Sequence, residues 1–395
     1  MTTGISETPK GAYRALVVAT LAFAVHFWAW GLISPLAPRL RDLLTLSPLQ
    51  VSVMVATPVL LGSLARIPLG ALTDRFGGRI VFFVLSLVVL VPLVFLAYFQ
   101  TFPSLLLGGL VLGLSGASFA VGIPFVNAWF PPERRGFALG VYGVGNIGTA
   151  IAGFTAPRLF DDVGPSVPFL VVAGAILLTA LMVAVAARDA GERPKMTASV
   201  WQRARAALGL RITIDLSALY ALTFGGFVAF GVYLPTYLRD VYLLETADAG
   251  ARAGGFIVLA TAARPVGGWL SDRLGAPRVL ITGLSVVTVG AAVVAFAPPL
   301  PTATPFFLAI AAALGLGNGA VFALVGRRVP VEKVGAVTGF VGAAGGLGGF
   351  LPPLVMGAVY ETTGQYTIGL LLLAVVAALA LVYSLRRFGS AVTRE

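Results

Sequence analysis

The chain has 395 residues, of which 58% are hydrophobic and 11% charged. Soluble domains run near ~25% charged, and so apolar a chain could not stay solvated as a disordered one, so both classes are excluded. Without cysteine and with one histidine, the chain cannot build a disulfide framework, a thiol centre or a histidine metal cluster. A net charge of +11 and a pI near 10.4 would suggest nucleic-acid binding in a soluble protein, but the placement of the charges argues otherwise.

Apolar stretches broken by charged turns predict twelve membrane-spanning helices. Their cores fall at 14–37, 49–72, 79–99, 103–127, 136–157, 166–187, 212–237, 250–272, 277–297, 303–328, 334–359 and 366–386. The first thirteen residues are polar and lack the charged-then-apolar layout of a cleaved signal, so the first span is expected to stay. With the N-terminus placed in the cytoplasm, 20 Lys and Arg fall on the inner side and 5 on the outer. The two left over, Arg66 and Arg264, lie inside spans. The basic excess thus reads as an inner-face signature that meets anionic lipid headgroups, with no nucleic-acid patch. The extended polar stretch 188–211 divides the chain into an N-terminal bundle (1–187) and a C-terminal bundle (212–395). Within it, Val200–Leu210 could lie as a surface helix on the inner leaflet or serve as a plain basic linker.

The two halves repeat. Arg66-Ile-Pro-Leu-Gly70-Ala-Leu-Thr-Asp74-Arg75-Phe-Gly77 matches Arg264-Pro-Val-Gly-Gly268-Trp-Leu-Ser-Asp272-Arg273-Leu-Gly275 at an offset of 198. Spans five and eleven share Gly136, Gly140 and Gly143 with Gly335, Gly339 and Gly342; spans four and ten share Gly116-Ala-Ser-Phe119-Ala120 with Gly319-Ala-Val-Phe322-Ala323. Two parallel six-span repeats with a site between them resemble the major facilitator transporters. The stretch Gly70–Arg79 is similar to that superfamily's loop motif after the second span. The resemblance implies an all-α membrane protein of two pseudo-symmetric six-helix bundles. It also implies a bracing, gating role for Asp74, Arg75 and Arg79, and by repetition for Asp272 and Arg273, rather than contact with substrate.

All sixteen acidic residues fall in loops, tails or end turns of the predicted spans, so Arg66 and Arg264 have no carboxylate in their own layer. A central arginine costs ~2.5–3.5 kcal/mol on insertion scales, and two that face each other also repel. A bound anion is the simplest offset. Guanidinium is a permanently charged planar fork, suited to a small flat oxyanion. The competing reading pairs each arginine with backbone carbonyls or lets it snorkel, but each lies eight residues before the loop aspartate, ~12 Å of helix rise. The glycines of spans five and eleven permit close helix packing and close backbone approach to a small ligand.

A narrower resemblance rests on Gly140-Val-Tyr-Gly143-Val-Gly145-Asn146-Ile-Gly148 with Ala156-Pro157 downstream. Its counterpart is Gly342-Ala-Ala-Gly345-Gly346-Leu-Gly348-Gly349-Phe350-Leu-Pro352. These are similar to the signatures of the nitrate/nitrite porter family. That resemblance implies nitrate and nitrite as substrates gripped by Arg66 and Arg264, with Tyr220 donating its hydroxyl and Phe119 and Phe224 flanking the plane. Asn146 and the backbone at Gly145 and Gly348 would complete the shell. No cofactor and no enzymatic activity are expected: no triad, metal spacing or phosphate loop is present. The expected carrier is a monomer in the inner (plasma) membrane with both termini cytoplasmic.

The absence of an intramembrane carboxylate favours exchange of nitrate for nitrite, as in an antiporter serving nitrate assimilation. Proton symport through His26 or water stays open, although His26, among Phe27, Trp28 and Trp30, reads better as a hydrogen-bonded strut. A drug or organic-solute exporter would want a roomier pocket with membrane carboxylates. A sensor built on the same fold would want a signalling tail, and the chain ends about nine residues after the last span.

Overall fold

The computed structural model describes residues 9–191, 205, 207–329 and 333–392. Among these residues the structure is helical, with twelve long helices in chain order. They are α1 (Ala12–Leu44), α2 (Pro48–Phe76), α3 (Gly78–Tyr98), α4 (Phe102–Asn127), α5 (Phe137–Asp162), α6 (Val167–Ala186) and α7 (Arg211–Tyr242). After α8 (Thr246–Leu274) come α9 (Ala276–Val294), α10 (Leu300–Arg328), α11 (Ala336–Thr363) and α12 (Thr367–Phe388). Eleven are long and apolar enough to cross a membrane. The exception, α8, has the length at 29 residues but is diluted by glycine, alanine and Arg264.

Local chemistry sets the ends. Ser47 and Gln50 form a reciprocal capping box, with Pro48 next, to start α2. The α2–α3 and α8–α9 turns each rest on a left-handed glycine, Gly77 (φ 87°) and Gly275 (φ 85°), which are themselves 198 residues apart. A side chain there would be strained, so the repeat extends to backbone geometry. Several helices run past their predicted cores: α1 reaches residue 44 and α7 residue 242. The added turns carry Arg39, Arg41, Asp42, Arg239 and Asp240, which hydropathy assigns to loops; Arg41 pairs with Asp240, Arg239 with Asp42, and Arg39 with Asp161 at the end of α5. Five spans are also interrupted in ways hydropathy does not foresee: α1 at Gly31, α2 at Ala65, α4 by a 3-10 segment at Gly113–Ala117, α5 by another at Val144–Asn146, and α11 at Gly349 and Phe350. Such breaks are tolerated at membrane depth where neighbouring helices cover them.

The first six helices pack on one another, as do the last six, and the two sets meet along α1–α7, α2–α11 and α5–α8. At the last contact the backbones nearly touch: a Cβ on Gly153 would lie 2.6 Å from Gly250 O. The predicted surface helix at Val200–Leu210 falls for the most part outside the described residues. So do Glu7, Glu192, Glu332 and Glu395 among the sixteen acidic positions.

Candidate anion-binding site

Arg66 opens the second segment of α2, directly after the break at Ala65. Its side chain is 2% exposed and crosses to the other half, where Nη1 donates to the Gly342 carbonyl of α11 at 2.6 Å. Nε and Nη2 are buried without a partner. The guanidinium carbon stands 5.6 Å from the Phe119 ring centre and 5.3 Å from that of Phe224. Arg264, on α8, stands 5.0 Å from the same Phe224 ring and 4.7 Å from Phe227, and its Nε and Nη2 are also buried and unpartnered. The two cations therefore lie no further apart than the sum of their distances to the shared ring. Among the described residues neither forms an ion pair. Each arginine lies over two rings, at ~0.5–2 kcal/mol per cation–π contact against an insertion cost of ~2.5–3.5 kcal/mol, but a ring face gives the unpartnered N–H groups no acceptor oxygen.

The walls are aromatic and glycine. Tyr220 and Phe224, one turn apart on α7, stack with centres 5.0 Å apart and planes within 1°. Phe322 of α10 meets Tyr220 edge-on at 5.0 Å. Glycines of α11 press against the same groups: a Cβ on Gly345 would lie 3.0 Å from Phe224, and one on Gly346 3.3 Å from Arg66 Nη1. Larger residues there would displace the arginine or the rings. A cavity of about 510 Å³ leads from Asp74, Asp189 and exposed Arg135 at one end of the molecule to Arg66, Phe119 and Gly342.

The other end is closed by bonds between the two halves. Arg41 makes two bonds to Asp240 at 2.6 and 2.9 Å, and Arg239 pairs with Asp42. Glu361 accepts from Ser47 Oγ and Leu49 N at 2.8 and 2.7 Å. Ser34 donates to the Val232 carbonyl, and Ser52 to Tyr233 Oη at 3.3 Å. The cavity beneath them, lined by Trp30, Ser34, Phe227 and Pro235 among others, is only about 30 Å³.

The Major Facilitator Superfamily profile matches residues 19–322 and 216–393. Three curated relatives align along nearly the whole chain. A probable nitrate/nitrite transporter, NarK2, of Mycobacterium tuberculosis is 46% identical over 95% of this chain and 96% of its own. A nitrite extrusion protein of Bacillus subtilis is 38% identical over 92% and 91%. A probable nitrate transporter, NarT, of Staphylococcus epidermidis is 37% identical over 94% and 96%. The chain belongs to the nitrate/nitrite porters of the major facilitator superfamily. Solved structures agree on the fold. A bacterial homologue of the human lysosomal transporter Spinster superposes with a TM-score of 0.72 at 19% identity, covering 98% of both chains. The human organic anion transporter MFSD10 superposes at 0.76 and 15% identity, covering 95% of this chain and all of that one.

Within this porter the structure brings Arg66, Arg264, Phe119, Tyr220 and Phe224 together. Asn146 sits in the 3-10 turn of α5, its Nδ2 bound to Gly143 O at 2.7 Å and its buried Oδ1 unpartnered. Gly145 packs on Phe23 of α1, and Gly348 on the Ala221 backbone of α7, so both stand at helix crossings. Asp74 lines the open end. Arg75 lies over Phe76 and Arg273 over Trp269, at 5.1 and 4.2 Å. Arg79 donates to Ala184 O at the end of α6, and Asp272 pairs with Arg327 of α10 at 2.8 Å. The Arg79 and Asp272 contacts join two helices of one half, whereas those of Arg75 and Arg273 stay within their own helix. His26 is fixed by Nδ1, which donates to Ala22 O at 2.7 Å, with Nε2 3.3 Å from Ser86 Oγ.

Three contributions escape the sequence. Phe227 lies beneath Arg264, yet one phenylalanine among 26 carries no signal. The Gly342 carbonyl is backbone and has no signature. Tyr142 stands inside a quoted motif but gains meaning only in space, stacked on Phe23 at 4.8 Å with its hydroxyl donating to Ser118 O at 2.8 Å.

Proposed function

We propose that the protein carries nitrate and nitrite across the membrane by alternating access, gripping the anion between Arg66 and Arg264. The observation that supports this most directly is the shared Phe224 ring. A buried and a half-buried arginine flank one aromatic, each keeping two buried N–H nitrogens without a protein partner and, among the described residues, neither having a carboxylate. A flat oxyanion accepts several such donors at once and neutralises both charges. Tyr220 adds a hydroxyl, and Phe119 and Phe224 exclude water; Asn146, Gly145 and Gly348 support the cradle around it.

The direction of opening follows from the charges. The arginine-rich end, where the cavity opens, is read as cytoplasmic and the end closed by Arg41–Asp240 as external, so the conformation is inward-facing, in the inner membrane, as a monomer. Domain limits of 1–187 and 212–395, joined by the 188–211 linker, are part of the same reading.

Exchange of nitrate for nitrite is the coupling best supported. With Nδ1–H committed to Ala22 O and Nε2 beside Ser86, His26 serves as a strut between α1 and α3. A fixed positive site resists reorienting empty and crosses once an anion neutralises it. Counterflow in proteoliposomes tests this. Nitrate uptake should require internal nitrite or nitrate and ignore an imposed pH gradient; uptake driven by that gradient into empty vesicles overturns exchange.

A further inference from the structure

On the C-terminal side of the site, α10 carries an amide with no assigned purpose. Asn318 is 1% exposed, and both its Nδ2 and Oδ1 are buried without a partner among the described residues. Helical phase places it. Leu314 and Gly317 press on α7 at Gly226 and Thr223, and Phe322 meets Tyr220 there. Gly315 and Gly319 press on α8, the first at Ala260 and the second at the Arg264 carbonyl. At 3.6 residues per turn, Asn318 falls on the edge between those two faces, at the junction of α7, α8 and α10 and at the height of Arg264. Thr223, on the α7 side of the junction, also has a buried hydroxyl without a partner.

The two halves differ here. By the Gly116/Gly319 register, Ser115 takes Asn318's place in the N-terminal half, and it donates to Leu112 O of its own helix at 2.6 Å. Arg66 has the Gly342 carbonyl as a protein acceptor. Arg264 keeps Nε and Nη2 unpartnered, and the amide at the junction beside its backbone has an oxygen that can only accept. An amide left unpaired in low dielectric is costly, so its retention here points to a use in the cycle.

We propose that Asn318 is a positioning residue of the anion site, a reading that rests on the proposed transport function. When the anion binds, its Oδ1 accepts from Arg264 and fixes the guanidinium plane, and Thr223 then supports the amide from α7.

Purified full-length protein carrying Asn318→Leu, Asn318→Asp or Asn318→Asp with Arg264→Met tests the assignment, with nitrate as the probe and melting as the second readout. Asn318→Leu should fold as well as the parent and bind nitrate about tenfold more weakly. Asn318→Asp should stay folded because Arg264 pairs with the new carboxylate, and nitrate should no longer raise its melting temperature. Removing Arg264 from that variant should then lower its melting temperature. Parental nitrate affinity in Asn318→Leu, or an Asn318→Asp protein destabilised equally with and without Arg264, overturns the proposal. The melting comparison needs no nitrate, so it is read even if the parent fails to bind the anion, a result that would sink the transport reading instead.

Discussion

The two ends of this molecule are built from one repeat and behave differently. At one end the dipeptide Arg41-Asp42 of α1 and its copy Arg239-Asp240 of α7, 198 residues on, pair crosswise, each arginine taking the other half's aspartate. At the other end, the Asp74-Arg75 and Asp272-Arg273 copies stand apart, with Asp272 and Arg79 tied within their own halves, and a cavity of about 510 Å³ lies open to Arg66. Pseudo-twofold symmetry lets a dipeptide of opposite charges become its own partner, so a sequence duplicated once supplies a reciprocal lock. The lock holds only while the halves tilt toward that end. The Arg66–Gly342 bond sits at the boundary, joining the halves where the cavity stops.

The largest expected effect comes from that boundary. Arg66→Lys keeps the charge but loses the fork, and truncating one partner of a buried charged contact costs ~2–5 kcal/mol. Nitrate binding should fall roughly thirtyfold or more, with near-parental folding; Arg264→Lys should behave alike. Titration of purified variants with nitrate checks this, and parental affinity in either would break the paired-arginine reading.

Next comes the lock itself. The Asp240 side chain is 4% exposed against 22% for Arg41, so Asp240→Asn leaves an arginine deprived of its buried partner. Breaking such a pair costs ~3–5 kcal/mol, enough to shift a two-state balance more than about a hundredfold. Because the chain has no cysteine, spin labels at Leu43→Cys and Leu243→Cys, exposed positions on the two halves, report the opening directly. Asp240→Asn should lengthen the label distance, and Arg41→Asp with Asp240→Arg should restore it. An unchanged distance in Asp240→Asn would mean that packing alone holds this end.

The sharpest test of the glycine helices is smaller. Gly345→Ala would place a methyl against Tyr220 and Phe224, whereas a Cβ on Gly140 of α5 meets nothing within 4 Å. Overpacking of ~1–3 kcal/mol at Gly345 should weaken nitrate binding about tenfold. Gly140→Ala should leave binding alone and raise stability by up to ~1 kcal/mol. Equal tolerance at both would show that α11 does not crowd the site.

Much of this was legible because membrane physics simplifies the code. Hydropathy and arginine counting deliver twelve spans, and the 198-residue offset pairs Arg66 with Arg264 before any coordinates. The lock was equally present, since Arg41-Asp42 and Arg239-Asp240 keep the same offset, but hydropathy places them in loops and loop charges invite no pairing. Phe227 and the Gly342 carbonyl could not be read at all, because their roles come from tertiary approach and leave no pattern along the chain. Gly145 and Gly348 share a motif with site residues yet meet Phe23 and the Ala221 backbone, since a motif that serves helix crossing and ligand approach together does not say which glycine does which.

One further pair separates cohesion of a half from locking of the whole. Arg39 makes two bonds to Asp161, both at 2.8 Å, at the same end as the lock but with 29% exposure on each side, where Asp240 has 4%. It joins α1 to α5 within the N-terminal half, so it moves as part of a rigid body and feels no difference between conformations. Arg39→Ala should therefore cost ~0.2–1 kcal/mol of stability, as for other solvent-facing pairs, and leave the Leu43–Leu243 label distance unchanged. A ligand or mutation shifts an equilibrium only by its differential contribution to the two states. A lengthened distance in Arg39→Ala would show that the halves do not move as units, and the contrast between the two ends would then need another cause.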